Sequence, residues 1–339
     1  MTSFGLRRLR RRGRSSSYLT RSRLGLLSLT VGFGILGLAG IGVSLRLQSA
    51  VYLIGMVAMN LPQGGYENLH NLDGRGTRFQ MGYIASYVLT IAAFTAVFFF
   101  DPVVGLGLGV FVAMAKGGFG DLSVLETIYG DHIKTDIQRW LAAAVRGGVV
   151  MVVPMAFHPE AFYGLSSVMV NIFDPGGLTR LGYGSFETAS RVLGAVLCAI
   201  TGVYLVLGYI RSDATGSFRS DAGEIFLLVA YFAVTPVVVA VGLYFPLWYS
   251  ARQVARMRAV DDSETERDGF DAPAVVVSLV VASVVLGGLV WSVSPQPLGG
   301  ARILPGLVAF WTVFVSIIAL PHVVIGGLID RSRGIWYVP

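Results

Sequence analysis

The side chains able to do chemistry in this chain are few, and they lie where a bilayer makes them costly. Five stretches carry them. "LPQGGYENLH" sets Gln63, Tyr66 and Glu67 around Pro62 and Gly64, directly after the apolar run "AVYLIGMVAM". "GVFVAMAKGGFGDL" places Lys116 in an apolar run, with Asp121 five residues on. "AAAVRGGVVMVVP" holds Arg146, "FPLWYSARQVARM" holds Tyr249, Arg252 and Gln253, and "IALPHVVIGGLID" holds His322 and Asp330. A polar or ionisable group at membrane depth is rare and expensive, so each is a candidate functional residue with a partner.

Each also has a structural reading. Lys116, Tyr249 and Arg252 stand near expected span ends, where such residues snorkel to the interface or join an aromatic belt. Arg146 is deeper, so pairing with a carboxylate such as Glu67 or Asp121 is expected, as chemistry or as scaffold. His322 follows Pro321, which frees a backbone carbonyl for neighbouring groups. Asp330, beside Arg331 and Arg333, falls at an interfacial end where charge costs little. The one cysteine, Cys198, excludes an internal disulfide and any multi-cysteine metal site, and four histidines are few for a histidine-rich one. There is no nucleophile elbow, H-E-x-x-H pair, P-loop or dinucleotide fingerprint.

The elements that must hold these residues are membrane helices. Of 339 residues, 54% are hydrophobic and 14% charged, against about 25% charged in soluble domains. Spans are expected at 24–45, 49–66, 81–100, 102–118, 141–157, 190–210, 224–249, 274–293 and 303–328, giving an all-α polytopic transmembrane bundle of eight or nine spans. Glycine, at 43 residues, suits close packing between such helices. The first 23 residues carry eight arginines and no acid; without them the formal charge of +6 becomes −2. Residues 1–23 are therefore expected as a basic cytoplasmic tail lying near anionic lipid, and 24–339 as a single transmembrane domain of a multi-pass cell-membrane protein. No folded basic face supports nucleic-acid binding. With the N-terminus inside, loops 67–80, 119–140 and 211–223 fall on the cytoplasmic side. The segment 250–271 then falls outside despite its arginines, in conflict with the positive-inside rule.

The same five stretches, in order from Pro62 to Trp336, resemble the Brp/Blh family. These are membrane enzymes that cleave β-carotene centrally to give retinal for microbial rhodopsins. "LPQGGYENL" is similar to the family's Pro-His-Gly-Ala-x-Asp-His, and "AMAKGGFGDL" to its His-(Trp/Phe)-Gly-x-Gly-Asp. "RGGVVMVVPMAFHPE" is similar to Arg-Gly-Gly…Pro…Pro-Glu/Asp, and "WYSARQVARM" to Trp-His-Ser-x-Arg-His. "LPHVVIGGLIDRSRGIW" is similar to the ending Pro-His…Asp-Arg…Gly-x-Trp.

The resemblance implies a non-haem iron held by histidines from several helices. The positions implied for those histidines read Gln63, Lys116, Tyr249 and Gln253, the second histidine of the first segment is Asn68, and its aspartate is Glu67. Retained are Pro62, Gly64, Asp121, Arg146, Arg252, His322 and Asp330, with Tyr66 beside them. Framework kept with ligands replaced points to a non-catalytic relative with no resident cofactor. Such a relative would bind a carotenoid or retinal in an intramembrane pocket, or help a microbial rhodopsin mature. The alternatives are an active oxygenase, which would need Fe(II), and an unrelated transporter or scaffold. The four substituted positions are expected to face one cavity.

Overall fold

The computed structural model describes residues 3–60, 76–128, 132–212, 215–260 and 272–329. Every described regular element is a helix: α1 (Ser3–Leu38), α2 (Leu45–Leu53), α3 (Thr77–Phe100), α4 (Pro102–Ile128), α5 (Asp136–Phe157), α6 (Pro159–Asn171), α7 (Tyr183–Arg211), α8 (Thr215–Val234), α9 (Val237–Tyr244), α10 (Ala251–Val260), α11 (Ala272–Val293) and α12 (Ile303–Pro321). A short 3-10 turn, Leu178–Leu181, lies between α6 and α7. Among the described residues, Thr77–Phe100, Pro102–Ile128, Asp136–Phe157, Tyr183–Arg211 and Ile303–Ile325 are each long and apolar enough to cross a membrane. Their outer faces agree: Val192, Leu193, Val196, Val203 and Val206 form an exposed apolar stripe on α7 that would be a liability in water. This is a helical membrane protein.

Two expectations need correcting. The span 224–249 is two helices, because Pro236, which has no amide hydrogen to donate, ends α8 and caps α9. The Tyr231 hydroxyl ties the break together by donating to the Ala240 carbonyl at 3.0 Å. The loops drawn at 119–140 and 211–223 are mostly helix, since α4 runs on to Ile128 and α8 starts at Thr215. Helix α1 is continuous from Ser3 to Leu38 and so runs through the expected edge of the basic tail at residue 23.

Small residues decide how the central helices cross. A Cβ added to Gly118 of α4 would lie 2.2 Å from the Ala143 carbonyl oxygen of α5, and one on Gly147 would lie 2.1 Å from the Met114 carbonyl oxygen. Only glycine permits that backbone contact, in the small-residue manner of membrane helix pairs. A second crossing joins α2 to α9, where a Cβ on Gly242 would lie 2.6 Å from the Tyr52 Cα, and one on Gly55, in the turn after α2, would lie 2.3 Å from the Gly242 carbonyl oxygen. Wide π-helical turns occur at Ile54–Asn60, Phe245–Ser250 and His322–Ile329. Each abuts or contains one of the five polar stretches, as π-turns commonly do at functional sites. Two of them follow or contain a proline, Pro321 and Pro246, whose missing donor loosens the local ladder.

Candidate functional site

Two features meet on α4. The first is a buried ionic cluster between α4, α5, α8 and α10. Arg146 on α5 reaches three carboxylates: it pairs with Asp121 and with Asp221, and its Nη2 donates to Glu224 Oε2 at 2.9 Å. Arg252 on α10 donates from Nε to Asp121 Oδ1 at 2.5 Å and from Nη1 to Glu224 Oε1 at 2.7 Å. Its guanidinium carbon stands 4.5 Å from the Trp248 ring centroid. Arg23 of α1 completes the set, its Nη2 lying 2.7 Å from Glu224 Oε1. Three guanidinium groups thus face three carboxylates, so the charges offset one another without water.

An outer layer fixes the acids. His132 Nε2 donates to Asp221 Oδ2 at 2.9 Å, its Nδ1 pairs with Ser217 Oγ at 2.7 Å, and the Tyr204 hydroxyl donates to Asp221 Oδ2 at 2.5 Å. Burying charge is tolerable only when partners replace the lost hydration, and breaking one such pair costs about 3–5 kcal/mol. The cluster ties together five helices, α1, α4, α5, α8 and α10.

The second feature is an apolar cavity with an accessible volume of about 90 Å³. Helices α2, α3, α4, α5, α6, α9 and α12 all contribute to its wall. On α4 the lining residues are Leu106, Gly109, Val110, Val112, Ala113 and Lys116. That i, i+3, i+4 pattern is one helix face, and ten residues at 1.5 Å rise make it about 15 Å long. Its polar atoms at the far wall satisfy one another: the Tyr52 and Thr312 hydroxyls are 2.6 Å apart, and Ser316 Oγ donates to the Thr312 carbonyl at 2.8 Å. Lys116 closes the end nearest the ionic cluster, with its Nζ 5.3 Å from the Tyr249 ring centroid.

The expected site residues divide accordingly. Lys116 lines the cavity, Tyr249 sits between it and the cluster, and Gln253 lies behind. The Tyr249 ring packs so tightly on α4 that a Cβ on Gly120 would come 2.4 Å from its Cε2. Gln253 Nε2 donates to the Gly120 carbonyl at 2.8 Å, and its Oε1 accepts from Arg256 Nε at 2.9 Å. Of these three positions Lys116 lines this cavity, while Tyr249 and Gln253 pack against α4 at Gly120. Asp121, Arg146 and Arg252 meet in the cluster. His322 is buried on the π-turn after α12. Pro62, Gln63, Gly64, Tyr66, Glu67 and Asp330 lie outside the described residues.

Sequence reasoning missed Glu224, Asp221, His132, Arg23 and Tyr204. A signal for two of them existed: "SDAGEIFLL" carries acids three residues apart at the head of an apolar run, on one face of one helix.

The sequence model of the beta-carotene 15,15'-dioxygenase family matches residues 54–330. The chain belongs to that family. It is 55% identical to a probable beta-carotene 15,15'-dioxygenase Brp of Halobacterium salinarum strain R1 over 95% of its own length and 94% of the relative's. It is 28% identical to a probable beta-carotene 15,15'-dioxygenase Blh of Halobacterium salinarum strain NRC-1, over 95% of this chain and 96% of that one. No solved structure gives a significant match.

Membership implies iron, and the described residues can be tested for it. Lys116 as an ammonium offers no lone pair, and both ends of the Gln253 amide are already hydrogen-bonded. Among the described residues no three His, Cys, Asp or Glu side chains converge to hold a metal. At these two positions, Lys116 and Gln253, the side chains do not suit iron ligation.

Proposed function

We propose that this protein binds β-carotene or the retinal made from it, in the apolar cavity between α4, α9 and α12, and serves retinal supply without itself cleaving the polyene. The observation that carries this is a hydrocarbon-lined slot about 15 Å long on α4 that ends at Lys116, where the family resemblance implies a metal ligand. At about 90 Å³ the cavity is smaller than a whole polyene, so the ligand would enter from the bilayer with one end in the slot and the rest of its length between the helices and lipid. On this reading residues 24–339 form one transmembrane domain of eight or nine spans. The arginine-rich N-terminus lies on the cytoplasmic side, and a microbial rhodopsin is the recipient.

The 55% identity to a chain described as a probable dioxygenase favours a second reading, iron-dependent cleavage of β-carotene by this chain itself. One experiment separates them. The protein is purified from a host making β-carotene, its iron is measured by mass spectrometry, and retinal formation is followed by chromatography. Co-purifying carotenoid or retinal with neither iron nor turnover supports the binding reading. Stoichiometric iron with retinal release establishes cleavage. Neither pigment nor turnover returns the chain to a transporter or scaffold role.

A further inference from the structure

We infer that Lys116 is a covalent attachment site for a long-chain apolar aldehyde, held as an imine in the α4 cavity; this rests on the retinal-binding reading above. Three observations carry it. Among the residues lining the cavity, Lys116 supplies the one amine, and it stands at the end of an otherwise hydrocarbon face running back through Ala113, Val110, Gly109 and Leu106. A conjugated aldehyde entering that slot has one polar end, and Lys116 brings the amine to the wall, whereas the Tyr52, Thr312 and Ser316 hydroxyls already bond to one another or to the Thr312 carbonyl. Next, the chain uses arginine for 24 of its 26 basic Lys and Arg residues, and the remaining two are Lys116 and Lys134. In such a chain the choice of lysine at the cavity matters chemically. Guanidinium stays protonated and non-nucleophilic, whereas a lysine amine can give up its proton and attack a carbonyl. Last, Tyr249 and the ionic cluster close that end of the slot, which limits the water able to hydrolyse an imine.

The step balances without an oxidant. The ammonium gives one proton to water. The free amine's lone pair attacks the aldehyde carbon, forming the C–N bond of a carbinolamine, and a proton passes from nitrogen to oxygen. The C–O bond then breaks as the nitrogen lone pair forms the C=N bond and the remaining N–H proton passes to the hydroxyl, which leaves as water, giving the neutral imine with no change of oxidation level.

The test uses the full chain in detergent or lipid nanodiscs, incubated with all-trans-retinal. Binding is read by co-elution on gel filtration and by quenching of tryptophan fluorescence. Borohydride is then added, and the chain is digested and mapped by mass spectrometry. The expected result is a stoichiometric reduced adduct on the peptide containing Lys116, unchanged in Lys134→Arg and lost in Lys116→Arg. Retinal that binds but leaves no reducible adduct overturns this inference while the binding reading stands. An adduct mapped to Lys134 also overturns it. Failure to bind both retinal and β-carotene overturns both. Mapping in the unsubstituted chain decides the matter even where Lys116→Arg does not fold.

Discussion

Arg252 and Glu224 face each other as a two-point ion pair, with Nη1 2.7 Å from Oε1 and Nη2 3.1 Å from Oε2. The partners come from α10 and α8, 28 residues apart across the Pro236 break. The same carboxylate also accepts from Arg146 and Arg23, so one glutamate joins α1, α5, α8 and α10. The fold hangs on a shared charge rather than on separate pairs. Removing a cation therefore leaves buried anions facing each other.

The cluster predicts a graded response. Arg146→Ala or Arg252→Ala should lower stability by about 3–5 kcal/mol, the cost of stranding a buried charge. Arg23→Ala should cost clearly less, because its side chain is one-third exposed and Glu224 keeps two other arginines. Thermal unfolding in a fixed detergent gives the order. Equal losses at all three positions would contradict a hierarchy set by burial.

A lysine should not rescue Arg146. Arg146 spans Asp121, Asp221 and Glu224 with two nitrogens of a rigid fork, and a point-charge ammonium cannot reach all three. Arg146→Lys should unfold well below the parent in the same assay, and a melting temperature matching the parent would show that charge alone suffices.

The α4–α5 crossing makes an independent prediction. Gly118→Ala and Gly147→Ala each force a methyl into a backbone carbonyl on the facing helix, so both should cut the yield of folded protein sharply. Gly107→Ala on α4 meets nothing within 4 Å and should be neutral or slightly stabilising, by up to about 1 kcal/mol from helix propensity. Fluorescence-detected gel filtration of the three variants side by side reads this out.

These results bear on what the sequence disclosed. The helical class and the order of the polar stretches were legible because apolar runs of membrane length and misplaced charges are local signals. Asp121, Arg146 and Arg252 stood out for that reason. Glu224 and Asp221 did not, because they fall on either side of the expected loop-to-span boundary at 223/224, where a hydropathy window treats acids as interfacial. Arg23 was absorbed into the arginine-rich leader, and His132 was read as a loop residue although it is buried against Asp221. The cavity was invisible for a different reason. Its wall is ordinary Val, Leu, Met and Phe from seven helices, and only their convergence distinguishes them from lipid-facing residues.

His158, at the corner between α5 and α6, links stability to pH. Burial holds its pKa below the ordinary histidine value, an effect partly offset by the Ala233 backbone. The folded chain then takes up this proton less readily than the unfolded chain. Stability is fully present above the unfolded value near about 6.5, falls as the pH drops below it, and levels off once the folded group also titrates. His158→Gln should flatten that part of the profile in unfolding measurements between mildly alkaline and mildly acidic buffer. An unchanged slope would assign the acid sensitivity to other groups.

The cavity makes the last prediction, and it separates ligand binding from stability. Ala113 lines the slot one turn before Lys116, whereas Phe111 points outward on the same helix. Ala113→Phe puts a ring where a polyene would lie, so retinal affinity should fall by about tenfold or more, equivalent to about 1.4 kcal/mol. Because the ring enters existing space, the melting temperature of the ligand-free chain should stay close to the parent's. Phe111→Leu removes part of a ring from the outer face and should leave binding unchanged. Fluorescence titration with retinal, run beside thermal unfolding, gives both quantities. Undiminished binding in Ala113→Phe would place the ligand elsewhere. A large loss of stability with it would mean that the space is not open to an added side chain.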